Sequence, residues 1–259
     1  MPPVYPDERR QQILSLAREI GRVEVTDLVS RLTVAPETVR RDLGVLERQG
    51  QLHRVYGGAV FVGDNTFEPL LERRNSQHVA DKERMARAAA AMVARLPENS
   101  TVLLDSGSAP QAIARAFPEG PALTVVTNGL PVATELAAKP NVTTWCLGGR
   151  LRESTLACVD EWARSRIESL TVDLAFVGVD GLTVHKGLTA MEPAEAAVKA
   201  AMLDCARERV LLAHHGKIGR DTFCRFAGLA DIDVVLTDEQ LDPGVAKEIE
   251  DSGARLVCA

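Results

Sequence analysis

Five apolar runs set the tightest limit on what this chain can fold into. They are "TVLLD" at 101–105, "LTVVT" at 123–127, "DLAFVGVDG" at 173–181, "RVLLAHHGK" at 209–217 and "DVVLTD" at 233–238. Each stops at a polar or glycine-bearing turn, and none alternates apolar with polar residues as a half-solvated strand does. A sixth run, "VTTWCLGGR" at 142–150, ends in a double glycine. Between the runs lie helical patterns such as "HVADKERMARAAAAMVARL", "PQAIARAF", "VATELAA" and "EPAEAAVKAAM". Strands without a polar face must be covered on both sides, so the pattern predicts an α/β layered domain with a mostly parallel sheet.

That domain does not use the whole chain. With 259 residues there is room for one large domain and a smaller one. A hydrophobic content of 46% and a charged content of 25% are ordinary for a soluble globular protein. The longest strongly apolar stretches, such as "AAAAMVA" at 88–94, are too short to span a bilayer. The opening "MPPVYPDERRQQ" has no signal-peptide pattern, so the expected location is cytoplasmic and no membrane partner is expected. Cys146, Cys158, Cys205, Cys224 and Cys258 are scattered and form no C-x-x-C pair, and they are expected as small buried apolar residues.

The first 60 residues follow a different design. They carry nine Arg against eight Asp and Glu, 9 − 8 = +1, which leaves −6 − 1 = −7 on the remainder. Residues 7–21 put Ile13, Leu16, Ala17 and Ile20 on one helical face, with Gly21 as a stop. A short second helix in "TDLVSRL" buries Leu28, Val29 and Leu32. Pro36 breaks it and suits the first position of a third helix, expected from 36 to about 49 and ended by Gly50. Val39, Leu43 and Leu46 form the apolar stripe of that helix. Thr38, Arg40 and Arg41 lie off the stripe in its first turns. "QLHRVYGGAV" then reads as a hairpin around Gly57 and Gly58.

Three helices and a hairpin match a winged helix-turn-helix, whose recognition helix enters the major groove by its N-terminal end. Arginines there fork onto guanine or clamp phosphate. An isolated arginine pair would instead be solvated and paired weakly with Glu37 or Asp42. The flanking elements favour DNA, and Thr26, Pro36, Glu37, Thr38, Arg40, Arg41 and Arg54 are the expected contacts. Residues 61–77 show little sustained periodicity and are the expected linker, although Phe67, Leu70 and Leu71 are able to pack on either side. The domains are thus expected at 1–60 and 78–259.

In open α/β sheets ligands bind beyond the carboxyl ends of the strands. There "DSGS" supplies Asp105, Ser106, Gly107 and Ser108 at a helix start suited to an anion. Thr127, Asn128, Gly149 and Arg150 end the next strands, and Lys217 follows "VLLA". Glu195 and Lys199 stand at i, i+4 on one helix face, a spacing that most often marks a surface pair. Jointly these residues point to a phosphorylated polyol or sugar. His214 and His215, adjacent and without ligand spacing, are expected as hydrogen-bonding loop residues; no metal or cofactor is expected.

The quoted segments resemble the DeoR family of bacterial transcription regulators over nearly the whole chain. The N-terminal carriers are "TVRRDL", "LERQG" and "RVYGGA"; the C-terminal ones are Lys82, "LLDSGSA", "VVTNGL", "LGGRL", "FVGVDGL", "EAAVKAAM", "LLAHHGK" and "VVLTD". The resemblance implies an effector domain similar to ribose 5-phosphate isomerase and coenzyme A transferases, and a repressor released from DNA by a phosphorylated sugar. It assigns effector contacts to Asp105, Gly107, Ser108, Thr127, Asn128, Glu195, Lys199 and Lys217. The pattern is most similar to the actinobacterial branch near fructose and lactose phosphotransfer regulators, which makes fructose 1-phosphate the first effector to test. The chain departs from the family pattern at Ala35, Ala109, Gly129 and His214–His215–Gly216. The expected partners are operator DNA, a phosphosugar and further copies of the chain as a homodimer or homotetramer. A phosphosugar isomerase fused to a winged helix is the alternative.

Overall fold

The computed structural model describes residues 6–20, 22–49, 51–55, 57–61 and 70–259. Contacts divide the chain into two units, Met1–Pro69 and Leu70–Ala259. Gly21, Gly50 and Phe67, singled out above, lie outside the described residues.

The first unit runs α1 (Pro6–Ile20), β1 (Arg22–Glu24), α2 (Val25–Leu32), α3 (Pro36–Arg48), β2 (Leu52–Val55) and β3 (Gly58–Phe61). The apolar stripe closes the unit: Val39, Leu43 and Leu46 of α3 pack with Ile13, Ala17, Leu28, Leu52 and Ala59. Leu14 is buried where Leu16 was expected, and Val29 and Leu32 are only half-buried. Pro36 opens α3 after Thr33 has ended α2 in the left-handed conformation, φ 53°.

The hairpin has a third strand, because β1 pairs antiparallel with β3. Three residues are too few to display a period-two pattern, so β1 left no sequence signal. Its effect is visible at Gly58, where an added Cβ would lie 2.0 Å from the Val23 carbonyl oxygen. Asp42 is not a solvated partner of the arginine pair. It is buried and bonded to Arg9 Nε at 2.5 Å.

The second unit begins with α4 (Leu71–Ser76), inside the stretch expected as linker. Leu71 is buried, its N–H donates to the Ser154 carbonyl, and Asn75 donates to Gln111 at 3.0 Å, while Leu70 stays exposed. Six residues give too little periodicity to be seen, and tertiary contacts decide the helix.

Then follow α5 (Val79–Val93), β4 (Thr101–Leu104), α6 (Ser108–Arg115), β5 (Leu123–Thr127), α7 (Leu130–Ala137), β6 (Val142–Cys146), β7 (Arg150–Arg152), β8 (Ala157–Val159) and α8 (Asp160–Glu168). The chain continues through β9 (Val172–Gly178), β10 (Gly181–Thr183), β11 (Gly187–Ala190), α9 (Pro193–Asp204), β12 (Ala206–Leu212), β13 (Cys224–Ala227), β14 (Val234–Thr237), α10 (Pro243–Asp251) and β15 (Arg255–Cys258).

Seven strands form one sheet in the order β15-β14-β12-β9-β4-β5-β6, and every pair in it is parallel. Side chains alternate between two cores. Leu103, Val126, Ala175, Val177, Leu211 and Val235 meet Ile167, Met202 and Ile249 on one face. Val102, Leu104, Val125, Phe176, Val210 and Leu236 meet Met85, Ile113 and Leu136 on the other. Burying each large aliphatic or aromatic side chain contributes about 1.5–3 kcal/mol, which is why these runs dictate the sheet. Cys158 and Cys205 are buried as expected, but Cys146 and Cys258 are exposed because they end the two edge strands, β6 and β15.

From β4 the chain winds outward through β5 and β6, then returns to β9 on the other side of β4 and winds away. The reversal falls between β4 and β9. Ligands of doubly wound sheets bind at this place, beyond the strand ends.

Candidate effector site and nucleic-acid face

Asp105 follows β4 and is 1% exposed. Its Oδ1 accepts from Ser106 N–H at 2.7 Å. Its Oδ2 accepts from Gly178 N–H at 2.9 Å and from Lys199 Nζ at 2.5 Å. The carboxylate thus ties the ends of β4 and β9 to α9, and both oxygens are engaged. Gly107, with φ 108°, turns the chain into α6, whose first turn has no side-chain cap.

Lys199 is buried as well. Burial works against its charge, but Asp105, Glu195 and Asp180 outweigh it and raise its pKa above the ordinary lysine value. Glu195, one turn earlier on α9, is 4% exposed and accepts from Thr155 Oγ1 at 2.6 Å and pairs with Arg152 at 3.0 Å. This i, i+4 pair is therefore interior.

A second carboxylate, Asp180 just beyond β9, gathers cations: Arg74 at 3.5 Å and Lys217 at 3.6 Å. Burial pushes the Asp180 carboxyl up, yet Arg74, Lys217 and Lys199 together hold it below the usual range. Lys82 adds another positive group, its Nζ donating to the carbonyls of Arg74 and Gln77. Burial, with Lys217 and Arg74 nearby, lowers its pKa to about 8. Burial is also the main cause that lowers Lys217. Arg74, Lys217 and Lys199 thus all act on Asp180, while Lys199 is also held by Asp105 and Glu195.

Thr127 and Asn128 end β5 and are buried. Thr127 Oγ1 accepts from Gly129 N–H at 3.1 Å, and Asn128 Nδ2 donates to the Cys158 carbonyl at 3.1 Å. Asn128 Oδ1 has no partner among the described residues, leaving a buried acceptor facing no donor. Gly149 and Arg150 are exposed, and the Arg150 guanidinium pairs with Asp160 at 2.6 Å. The arginine that reaches into the cluster is Arg152, two residues further along β7.

His214 and His215 follow β12. His214 Nδ1 accepts from Gly216 N–H at 3.2 Å, and burial, followed by the charges around it, lowers the ring to about 3. His215 bonds Asp238 through both its backbone N–H, 2.7 Å, and its ring Nδ1, 2.9 Å.

In the first unit Thr26, Pro36, Glu37, Arg40, Arg41 and Arg54 are exposed, and Thr38 is half-buried. Among the described residues Arg40 pairs with Glu37 alone, an exposed i, i+3 contact at 3.2 Å. Ala35, the residue before α3, offers no side-chain cap, but its carbonyl accepts from the Thr38 and Val39 N–H groups at 2.9 and 3.2 Å, and Pro36 has no N–H to offer.

Two sequence profiles match the chain: a DeoR-like helix-turn-helix domain over residues 9–64 and a DeoR C terminal sensor domain over residues 77–239. The HTH-type transcriptional regulator GlpR of Haloferax volcanii is 35% identical over 254 residues, covering 98% of both chains. The chain belongs to the DeoR family. The glycerol-3-phosphate regulon repressor of Escherichia coli (strain K12) is 29% identical, covering 96% of this chain and 97% of its own. FruR of Bacillus subtilis (strain 168) is 29% identical over 90% of this chain and 91% of its own. These relatives carry the DeoR assignment and do not single out the actinobacterial branch. Among solved structures, a D-ribose-5-phosphate isomerase in complex with phospho-erythronic acid matches 52% of the chain and 54% of its own, at 14% identity and a TM-score of 0.36. A probable sor operon regulator from Shigella flexneri matches 67% and 89%, at 14% identity and a TM-score of 0.44.

As a DeoR-family chain, the protein is a transcription regulator with an N-terminal reader and an α/β sensor. No helix among the described residues is long and apolar enough to cross a membrane. The sensor cluster contains Arg74, Arg152, Thr155 and Asp180, which sequence reasoning left out. Arg74 fell in the supposed linker. Asp180 sat inside the quoted segment "FVGVDGL" and Arg152 one residue beyond "LGGRL", but nothing in their spacing distinguished them from their neighbours.

Proposed function

We propose that this DeoR-family regulator represses an operon for uptake or breakdown of a sugar or polyol, and that a phosphorylated form of that compound releases it from its operator. The observation that carries this is the convergence of Arg74, Lys217 and Lys199 on buried Asp180 at the strand reversal, with Lys82 near Lys217 and Arg74. Desolvated cations beside an uncapped helix start suit a phosphate, and the unpartnered Asn128 oxygen suits a hydroxyl. Asp105, Ser106, Gly107, Ser108, Thr127, Asn128, Glu195, Lys199 and Lys217 form the effector site in this proposal, with Asp105 and Glu195 acting by holding cations in place.

Fructose 1-phosphate, the compound the family resemblance points to, is the first to test, and glycerol 3-phosphate is the second, since one relative is named a glycerol-3-phosphate regulon repressor. The α3 surface, with Thr26, Pro36, Glu37, Thr38, Arg40, Arg41 and Arg54, reads the operator. Two half-sites need two readers, so the working form is a homodimer or homotetramer. The test is a mobility shift on the DNA upstream of its own gene, repeated with each phosphosugar. Selective binding to that DNA, reversed by one phosphorylated compound and not by its unphosphorylated form, is expected. Equal affinity for random duplex overturns the proposal. Isomerase chemistry finds little support in the geometry, because Asp105 has both oxygens engaged and is poorly placed as a proton carrier.

A further inference from the structure

Three imidazoles converge at one end of the sensor, although the sequence pattern joined only two of them. His214 and His215 come from the turn after β12. His78 arrives from the start of α5, where its backbone is left-handed, φ 50° and ψ 39°. The His78 ring stacks on His214 with centroids 4.3 Å apart and meets His215 edge-on at 5.2 Å; the His214 and His215 centroids are 5.9 Å apart. One nitrogen from each ring lies within 4.8 Å of the others. A tetrahedral ion with metal–nitrogen bonds of about 2.05 Å holds nitrogens roughly 3.3 Å apart, so binding requires His78 and His214 to turn out of their stacked arrangement until their lone pairs converge.

The outer contacts fit as well. Nδ1 of His78 meets Asp81 Oδ2 at 3.2 Å, and Nδ1 of His215 meets Asp238 Oδ1 at 2.9 Å. A carboxylate on Nδ1 leaves the Nε2 lone pair exposed to a metal, the arrangement that orients metal-bound histidines. Both carboxylates are buried and oriented. Asp238 takes backbone N–H groups from His215 and Gln240, and Asp81 takes Arg84 at 2.8 Å. His214 gives up only the 3.2 Å bond from Gly216 N–H. Lys82 and Lys217 oppose a cation here, and Asp81 and Asp238 offset them.

We propose that His78, His214 and His215 bind one divalent transition-metal ion of the zinc class, with a coordination position left open. The borderline-soft imidazoles exclude magnesium and calcium as the preferred ions. Asp81, His215 and Asp238 also lie close enough together to suggest a mixed site. The carboxylates are already engaged by nitrogen donors, so the three-histidine set is preferred.

The test uses the full chain without a histidine tag, stripped with a chelator, and titrated with Zn²⁺ alone by calorimetry. Co²⁺ serves as the visible-absorption probe. One equivalent per chain is expected, with Co²⁺ absorption of a low-coordinate nitrogen site. His78→Ala and His214→Ala should each weaken binding tenfold or more, and His78→Gln and His214→Asn repeat the test with side chains that keep more of the volume. Circular dichroism establishes that the variants are folded. A Cys146→Ser/Cys258→Ser double variant should bind as the parent does, which assigns the ion to imidazole rather than exposed thiol. Absence of saturable binding, or binding that survives loss of His78 and His214, overturns the proposal.

Discussion

The two units place their positive charge in opposite ways. In the winged unit Arg40, Arg41 and Arg54 stand in solvent, and the arginine closest to fixed is Arg9, buried on Asp42 to lock α1 against α3. In the sensor Lys82 and Lys199 are buried, and each is held by named oxygens. A polyanionic duplex presents charge over a long surface, so a reader gains from long, hydrated side chains that adjust to it. A small phosphate presents charge at one point, and selectivity there requires cations positioned before the ligand arrives. The positioning depends on carboxylates that never need to touch the ligand.

That contrast is broken most directly by Lys199→Met. Removing one partner of a buried ion pair typically costs about 3–5 kcal/mol, and the urea midpoint of the sensor unit should fall accordingly. A near-parental midpoint would mean that Asp105 is not dependent on its cation. The counterpart is Arg41→Ala, which should weaken operator binding by about 1–3 kcal/mol and flatten its salt dependence. Folding stability should change by no more than about 0.5 kcal/mol, because the side chain is exposed. Equal operator affinity would remove Arg41 from the reading face.

Acid should distinguish the units next. Burial raises Asp180, but Arg74, Lys217 and Lys199 prevail, so its folded carboxyl titrates below the unfolded value of 3.8. Its stabilising contribution is present above that value and is lost as pH falls through the folded pKa. The acid-unfolding curve of the sensor should be shallower in Asp180→Asn, while that of the winged unit is unmoved. The smallest effect sharpens the picture within β7. Arg150→Ala should leave effector affinity unchanged, whereas Arg152→Ala, which removes a partner of Glu195, should weaken it several-fold in calorimetry.

Much of this was legible before any coordinates. The stripe Val39, Leu43 and Leu46 is buried as its spacing demands, and the five apolar runs became interior strands. Short elements were not legible. The strand β1 and the helix α4 owe their existence to partners distant in sequence, Val60 and Ala59 for the first and Ser154 for a backbone bond of the second. The spacing of Glu195 and Lys199 was visible, but not that both are interior. A surface i, i+4 pair and a buried one look the same in one dimension.

The sequence alone determined the two-part design, the parallel sheet and the family, because hydrophobic period and turn chemistry act locally and leave marks residue by residue. Tertiary structure decided which polar groups meet. Arg74 and Lys217 converge on Asp180, Arg152 rather than Arg150 reaches Glu195, and His78 joins His214 and His215. Those encounters depend on strand order and crossover geometry. A short-range pattern carries no information about which distant residue will be its neighbour once the sheet reverses between β4 and β9.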